Sequence, residues 1–157
     1  MQNRKQLVHE LREKLIPVFI ANGFQCYPLS GEEKRSKDLR SMFPFGYLKR
    51  KNSDGTLDGV EIQLDSKGKS VFIINFGRTS KNEFLTPMGY FLTQDQITSY
   101  SMEYSFRLYD SKFFKIWFGN RFFNKSEDPV KIVQRAVIYS EEINNWFNEG
   151  IVGPHIK

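Results

Sequence analysis

Few residues in this chain could do covalent or metal chemistry, and they are scattered. The histidines are His9 and His155, and the one cysteine is Cys26. His9 falls beside the apolar face of a helical segment, and His155 follows a Gly-Pro pair in a short C-terminal tail, where a general base would lack a rigid partner. A Cys–His nucleophile would need Cys26 to meet one of them across the fold, and a free cysteine is more often a small buried hydrophobe. No His or Cys pair has zinc spacing. Asp54, Asp58, Glu61 and Asp65 cluster in sequence, but not with the spacing of an EF-hand loop. Alternation puts Glu61 and Asp65 on one strand face with Gln63 between them, and a solvated sheet face is the expectation. Gly55, Gly59 and Gly68 sit in or beside hairpin turns rather than ahead of a helix, so no phosphate loop is present. The expectation is a non-enzymatic protein with no cofactor and no bound metal.

Charge offers more. Net charge is +5 over 157 residues, and one segment carries the excess. Lys34, Arg35, Lys37, Arg40, Lys49, Arg50 and Lys51 face Asp38 alone, seven cations against one carboxylate. These seven are the candidate partner-binding residues. The stretch 127–149 is acidic, with Glu127, Asp128, Glu141, Glu142 and Glu149 against Lys131 and Arg135. A local basic patch favours an anionic partner. Phe43, Phe45 and Tyr47 precede Lys49-Arg50-Lys51, and aromatics beside cations suit a nucleic-acid strand. Burial of those aromatics in a sheet explains them as well.

The elements that must position these residues are legible from period. Leu7, Val8, Leu11, Leu15, Val18 and Phe19 make one face of a helix over 3–22, with Asn3 as N-cap and Pro17 as a kink. Gly23 ends it, and Phe24–Leu29 is a short extended segment. Residues 30–43 have no apolar period and predict a flexible basic loop. Asp54-Gly55 marks a turn. Val60–Asp65 alternates, Ser66–Lys69 turns, and Ser70–Gly77 is apolar on both faces, so the pair predicts a hairpin at the heart of a sheet. Residues 78–99 show no clear period. Tyr100 to Leu108 alternates strictly, and Phe113 to Gly119 predicts a further strand. Asp128-Pro129 starts a final helix with its apolar side on Val133, Val137, Ile143, Trp146 and Phe147, and Gly150 closes it. Ser140 could cap a second helix within it. The fold expected is one α+β domain over 1–157: a mainly antiparallel sheet of about five or six strands, with the N- and C-terminal helices on one face.

One cysteine permits no intramolecular disulfide, which fits a reducing cytoplasm. The first residues lack a signal peptide's apolar core, and no run approaches the ~18 apolar residues of a membrane span. A cytoplasmic protein with no membrane partner is the expectation.

The order of parts adds a resemblance. A helix enters Gly23-Phe24. An aromatic-basic strand ends Tyr47-Leu48-Lys49-Arg50. Val60-Glu61-Ile62-Gln63-Leu64 pairs with Phe72-Ile73-Ile74-Asn75-Phe76-Gly77, and the last helix carries Glu142-Ile143-Asn144-Asn145-Trp146-Phe147. This resembles a family of small bacterial α+β proteins known as a domain of unknown function, some of whose members sit among toxin-immunity genes. The resemblance implies a protein-binding module, such as an immunity protein that neutralises a toxin domain by direct contact. It carries no catalytic residues, and the basic insertion at 30–43 departs from its pattern. The alternative reading is a nucleic-acid binder using residues 34–51.

Overall fold

The computed structural model describes residues 2–79, 84–85, 88–92, 104–120 and 127–157. Helix α1 (Gln2–Glu10), a π-helical turn (Leu11–Leu15) and helix α2 (Ile16–Ala21) follow one another as a single rod. Leu7, Leu11, Leu15 and Phe19, four residues apart, are fully buried along it. The kink expected at Pro17 takes the form of the π turn. Ahead of it the Ile16 N–H reaches back five residues to the Leu11 carbonyl. The wider turn makes room where the proline ring would otherwise meet the Glu13 carbonyl. Asn3 lies inside the first turn rather than capping it.

Five antiparallel strands form the sheet: β1 (Gln25–Tyr27), β2 (Tyr47–Lys51), β3 (Leu57–Leu64), β4 (Phe72–Thr79) and, after the short β5 (Phe84–Leu85) and β6 (Phe91–Leu92) pair, β7 (Tyr104–Leu108). The order in the sheet is β1-β2-β3-β4-β7. The hairpin read at 60–77 is therefore its centre, and every residue of β3 is buried rather than half of them. The strand expected from Tyr100 is described from Tyr104 onward. Tyr100–Glu103 and much of 78–99 lie outside the described residues. Phe113–Gly119 does not form a strand of its own, and only Phe118 bridges to Phe72.

Helix α5 (Pro129–Glu149) starts where the sequence places it. The Asp128 carboxylate accepts from the Val130 N–H at 3.0 Å. The helix runs unbroken to Gly150, whose positive φ of 72° accommodates the left-handed end. No second helix begins at Ser140, which is buried and donates its hydroxyl to the Val137 carbonyl.

Alternation along β3 and β4 sends Val60, Ile62, Leu64, Phe72, Ile74 and Phe76 to the side of the terminal helices, where they form one core with Leu7, Leu11, Phe19, Ile132, Ile143 and Phe147. Phe76 meets Trp146 and Phe147 edge-on at 5.5 and 5.9 Å, and Phe72 stacks on Phe118 at 5.0 Å. Each such side chain contributes roughly 1.5–3 kcal/mol by leaving water, which is how a chain of modest apolar content holds its fold. Among the described residues no helix is long and apolar enough to cross a membrane.

Candidate functional site

Where the sequence predicts a flexible basic loop over 30–43, the segment holds two short helices, α3 (Gly31–Arg35) and α4 (Lys37–Met42). Ser36 explains the second, because its hydroxyl accepts from the Leu39 N–H. Hydrogen bonds hold the segment to the sheet and its helices to each other. Tyr47 Oη donates to Glu33 at 2.9 Å, joining α3 to β2, and Arg40 Nη1 donates to the Lys34 carbonyl at 3.0 Å, joining the helices to each other. Beyond α4 the chain turns at Gly46, where a β-carbon would run into the Tyr27 carbonyl oxygen. That close approach requires glycine, and it sets Phe43, Pro44 and Phe45 around one pocket with Pro28.

The result is an open pocket of about 310 Å³, lined by Lys34 and Arg40 together with Pro28, Phe43, Pro44 and Phe45. Two cations in an otherwise apolar and aromatic lining suit an anionic group attached to an apolar body. Arg40 is oriented by the bond it gives to Lys34, so part of the ordering cost is met before anything binds. Arg35 pairs with Glu32 at 3.0 Å on the open surface, a contact worth little. Lys37 is exposed at the start of α4.

The other three candidate cations part company. Successive residues of a strand face opposite sides, so the triplet Lys49-Arg50-Lys51 has three destinations. Lys49 is only 3% exposed, on the face turned away from the terminal helices, with Nζ 5.1 Å from the Tyr27 ring and 5.7 Å from the Tyr47 ring. Arg50 turns to the helix side. It bonds Asp58 at 2.7 Å and the Asn22 carbonyl at 2.8 Å, and its guanidinium lies 4.7 Å from the Phe24 ring. Lys51 is exposed at the strand end. Asp58 is fully buried and is also held by Arg78, whose Nε donates at 2.6 Å and whose Nη2 donates to the Phe147 carbonyl. The Asp58 hydrogen bonds push the Arg78 pKa above its ordinary value. This carboxylate is a lock between β2, β3, β4 and α5 rather than a metal ligand.

The remaining carboxylates also have separate duties. Asp54 accepts from the Thr56 hydroxyl and N–H, which hold its pKa below the usual value. Asp65 accepts from the Lys67 and Lys69 N–H groups, closing the hairpin turn. Glu61 is not solvated as the alternation suggested. It is 2% exposed, on the same sheet face as Lys49, Gln63, Asn75 and Thr79, all buried. Asn75 donates to Gln63 at 3.0 Å, and Gly59 pairs with Gly77 at the middle of that face. Period two showed which residues share this face, but a polar face gave no sign that it would be covered.

A second basic recess, about 610 Å³, lies among Arg4, Lys5, Val8, Lys67 and Gly68. Arg4 bonds the carbonyls of Ser41 and Lys69 at 2.8 Å each, gathering α1, α4 and the β3–β4 turn. No local pattern in the sequence marks it, because its cations come from two segments some sixty residues apart.

The two histidines differ. His9 is exposed. His155, expected in a fraying tail, is buried: its ring stacks on Tyr139 at 3.8 Å, and Nδ1 lies 2.5 Å from Glu142 Oε1. The tail pairs with β7 through Arg107–Lys157 and Tyr109–His155 backbone bonds. Cys26 is exposed, and partial burial of its sulfur raises the thiol pKa. Among the described residues no three His, Cys, Asp or Glu side chains gather as a metal site. No family model matches the chain, and neither does any curated protein or solved structure at a significant level.

Proposed function

We propose that this chain is a non-catalytic binding module whose Lys34–Arg40 pocket takes an acidic side chain of a protein partner. A bacterial toxin domain, neutralised by direct contact, is the partner class the family resemblance suggests. One observation carries the reading: of the seven candidate cations, Lys34 and Arg40 converge on one open pocket with Phe43, Pro44 and Phe45 beside them. An acidic residue set among apolar neighbours fills such a pocket, and buried aromatic and charged anchors dominate the energy of protein interfaces. Four carboxylates serve the fold: Asp58 and Asp110 bind arginines, and Asp54 and Asp65 shape turns. This supports binding rather than acid–base chemistry.

The nucleic-acid reading loses two of its cations, since Lys49 is buried and Arg50 is committed to Asp58. Calorimetric titration with the product of the adjacent gene tests the proposal. The wild-type chain binds it, and K34Q/R40Q binds at least about tenfold more weakly, as loss of interfacial charge pairs implies. Equal affinity for the two proteins would sink the assignment of this pocket.

A further inference from the structure

The loop that follows β7 presents Lys112-Phe113-Phe114-Lys115 to solvent. Phe113 is 84% and Phe114 61% exposed, and both lysines are exposed as well. Large apolar side chains thrust outward in sequence neighbours need a reason, because water disfavours them.

The loop beneath them is closely bonded. The Asp110 N–H donates to the Ile116 carbonyl and the Ile116 N–H to the Phe114 carbonyl, each at 2.9 Å. The Ser111 hydroxyl accepts from the N–H groups of both Phe113 and Phe114 at 3.2 Å. Lys157 Nζ caps the Lys112 carbonyl at 2.8 Å. At one foot the Asp110 carboxylate is clamped by Arg135 of α5, which also binds Glu127. At the other, Phe118 exchanges backbone bonds with Phe72. The tip thus carries its apolar groups outside and has satisfied these backbone polar groups from within the protein. That suits rings that reach the boundary between headgroups and acyl chains, where backbone groups lose water and gain no partner from the chains. A protein partner can offer backbone bonds of its own, so it does not require a tip closed in this way. Among the described residues Asp110 and Glu127 share Arg135, a net single negative charge, so Lys112, Lys115 and Lys157 leave the tip positive.

We propose that the Lys112–Lys115 tip docks this protein on an anionic lipid surface, the two phenylalanines entering the headgroup region and the two lysines pairing with acidic headgroups. Aromatic insertion and lysine attraction are each weak alone and act together, giving reversible attachment.

Co-sedimentation of the full chain with phosphatidylcholine vesicles, with and without about three phosphatidylserines in ten lipids, tests this. Wild-type protein pellets with the anionic vesicles at low salt and not with pure phosphatidylcholine. K112Q/K115Q lowers the partition by more than tenfold, each lysine being worth roughly a five-fold change. F113S/F114S falls to background while its circular dichroism stays that of the wild type. K34Q/R40Q keeps its vesicle binding, which separates this surface from the protein-binding pocket. Wild-type protein that ignores anionic vesicles, or F113S/F114S that pellets undiminished, overturns the proposal. If F113S/F114S weakens a protein or oligonucleotide complex while wild-type protein ignores vesicles, the tip belongs to that interface instead and the lipid assignment falls.

Discussion

Asp58 shows how one residue decides the fate of others. It is fully buried and receives Arg50 and Arg78, so removing its charge strands two guanidinium groups against Phe24, Trp146 and Phe147. We expect Asp58→Asn to cost about 3–5 kcal/mol in urea unfolding, the usual penalty for breaking a buried pair from one side. A cost below about 1 kcal/mol would mean that solvent reaches the cluster and the lock is not one. Cys26 gives a second check at this scale. Its thiol reaches solvent, but partial burial disfavours the thiolate and raises the pKa. Iodoacetamide should therefore alkylate the folded chain with a pH midpoint above that of the urea-denatured chain. A midpoint at or below the denatured value contradicts that environment. The sequence showed Asp58 only as one of four nearby acids. Its partners Arg50 and Arg78 lie eight and twenty residues away, and only strand register brings them opposite it.

At the scale of elements, the C-terminal tail is held by Glu142. This side chain accepts from the His155 N–H at 2.9 Å and meets the His155 ring, and a β-carbon on Gly153 would collide with it. Glu142→Ala leaves a buried donor unpaired, at about 1–3 kcal/mol. Amide hydrogen exchange should then quicken at Arg107, Tyr109 and Lys157, whose bonds hold the tail to β7, while the β3–β4 amides keep their protection. Unchanged exchange at those three amides would show that the clasp does not hold the tail. Much at this scale was legible beforehand. The Leu7–Leu11–Leu15–Phe19 spacing, the Asp128-Pro129 start, the Gly150 stop and the central hairpin all follow from local rules. What was not legible depends on distant partners. Residues 30–43 have no apolar period because α3 and α4 bury little. They are held by Tyr47, by Arg4 on Ser41 and by the Arg40–Lys34 bond instead. His155 looked like a tail residue because its stacking partner, Tyr139, is set by how α5 meets the tail.

For the whole molecule, charge is sorted by the fold more than by the sequence. A run of seven candidate cations becomes a pocket pair, Lys34 and Arg40; three surface cations, Arg35, Lys37 and Lys51; a buried Lys49; and an Arg50 spent on the core. The candidate site was thus half visible: composition located the charge, and only tertiary structure separated binding groups from structural ones. Both α-helical termini lie on one sheet face, so the opposite face, with Glu61, Gln63 and Asn75, is where cover other than those helices is needed. The most direct test of the account is the affinity of wild-type chain and K34Q/R40Q for the adjacent gene's product, measured at low and high salt beside a single-stranded oligothymidylate. The protein product should form a complex that weakens at least about tenfold in the variant and loosens with salt, because exposed charge pairs are screened. The oligonucleotide should form no comparable complex. Equal affinity of the two proteins for the product, or tighter binding of the wild-type chain to the oligonucleotide, would contradict the proposal.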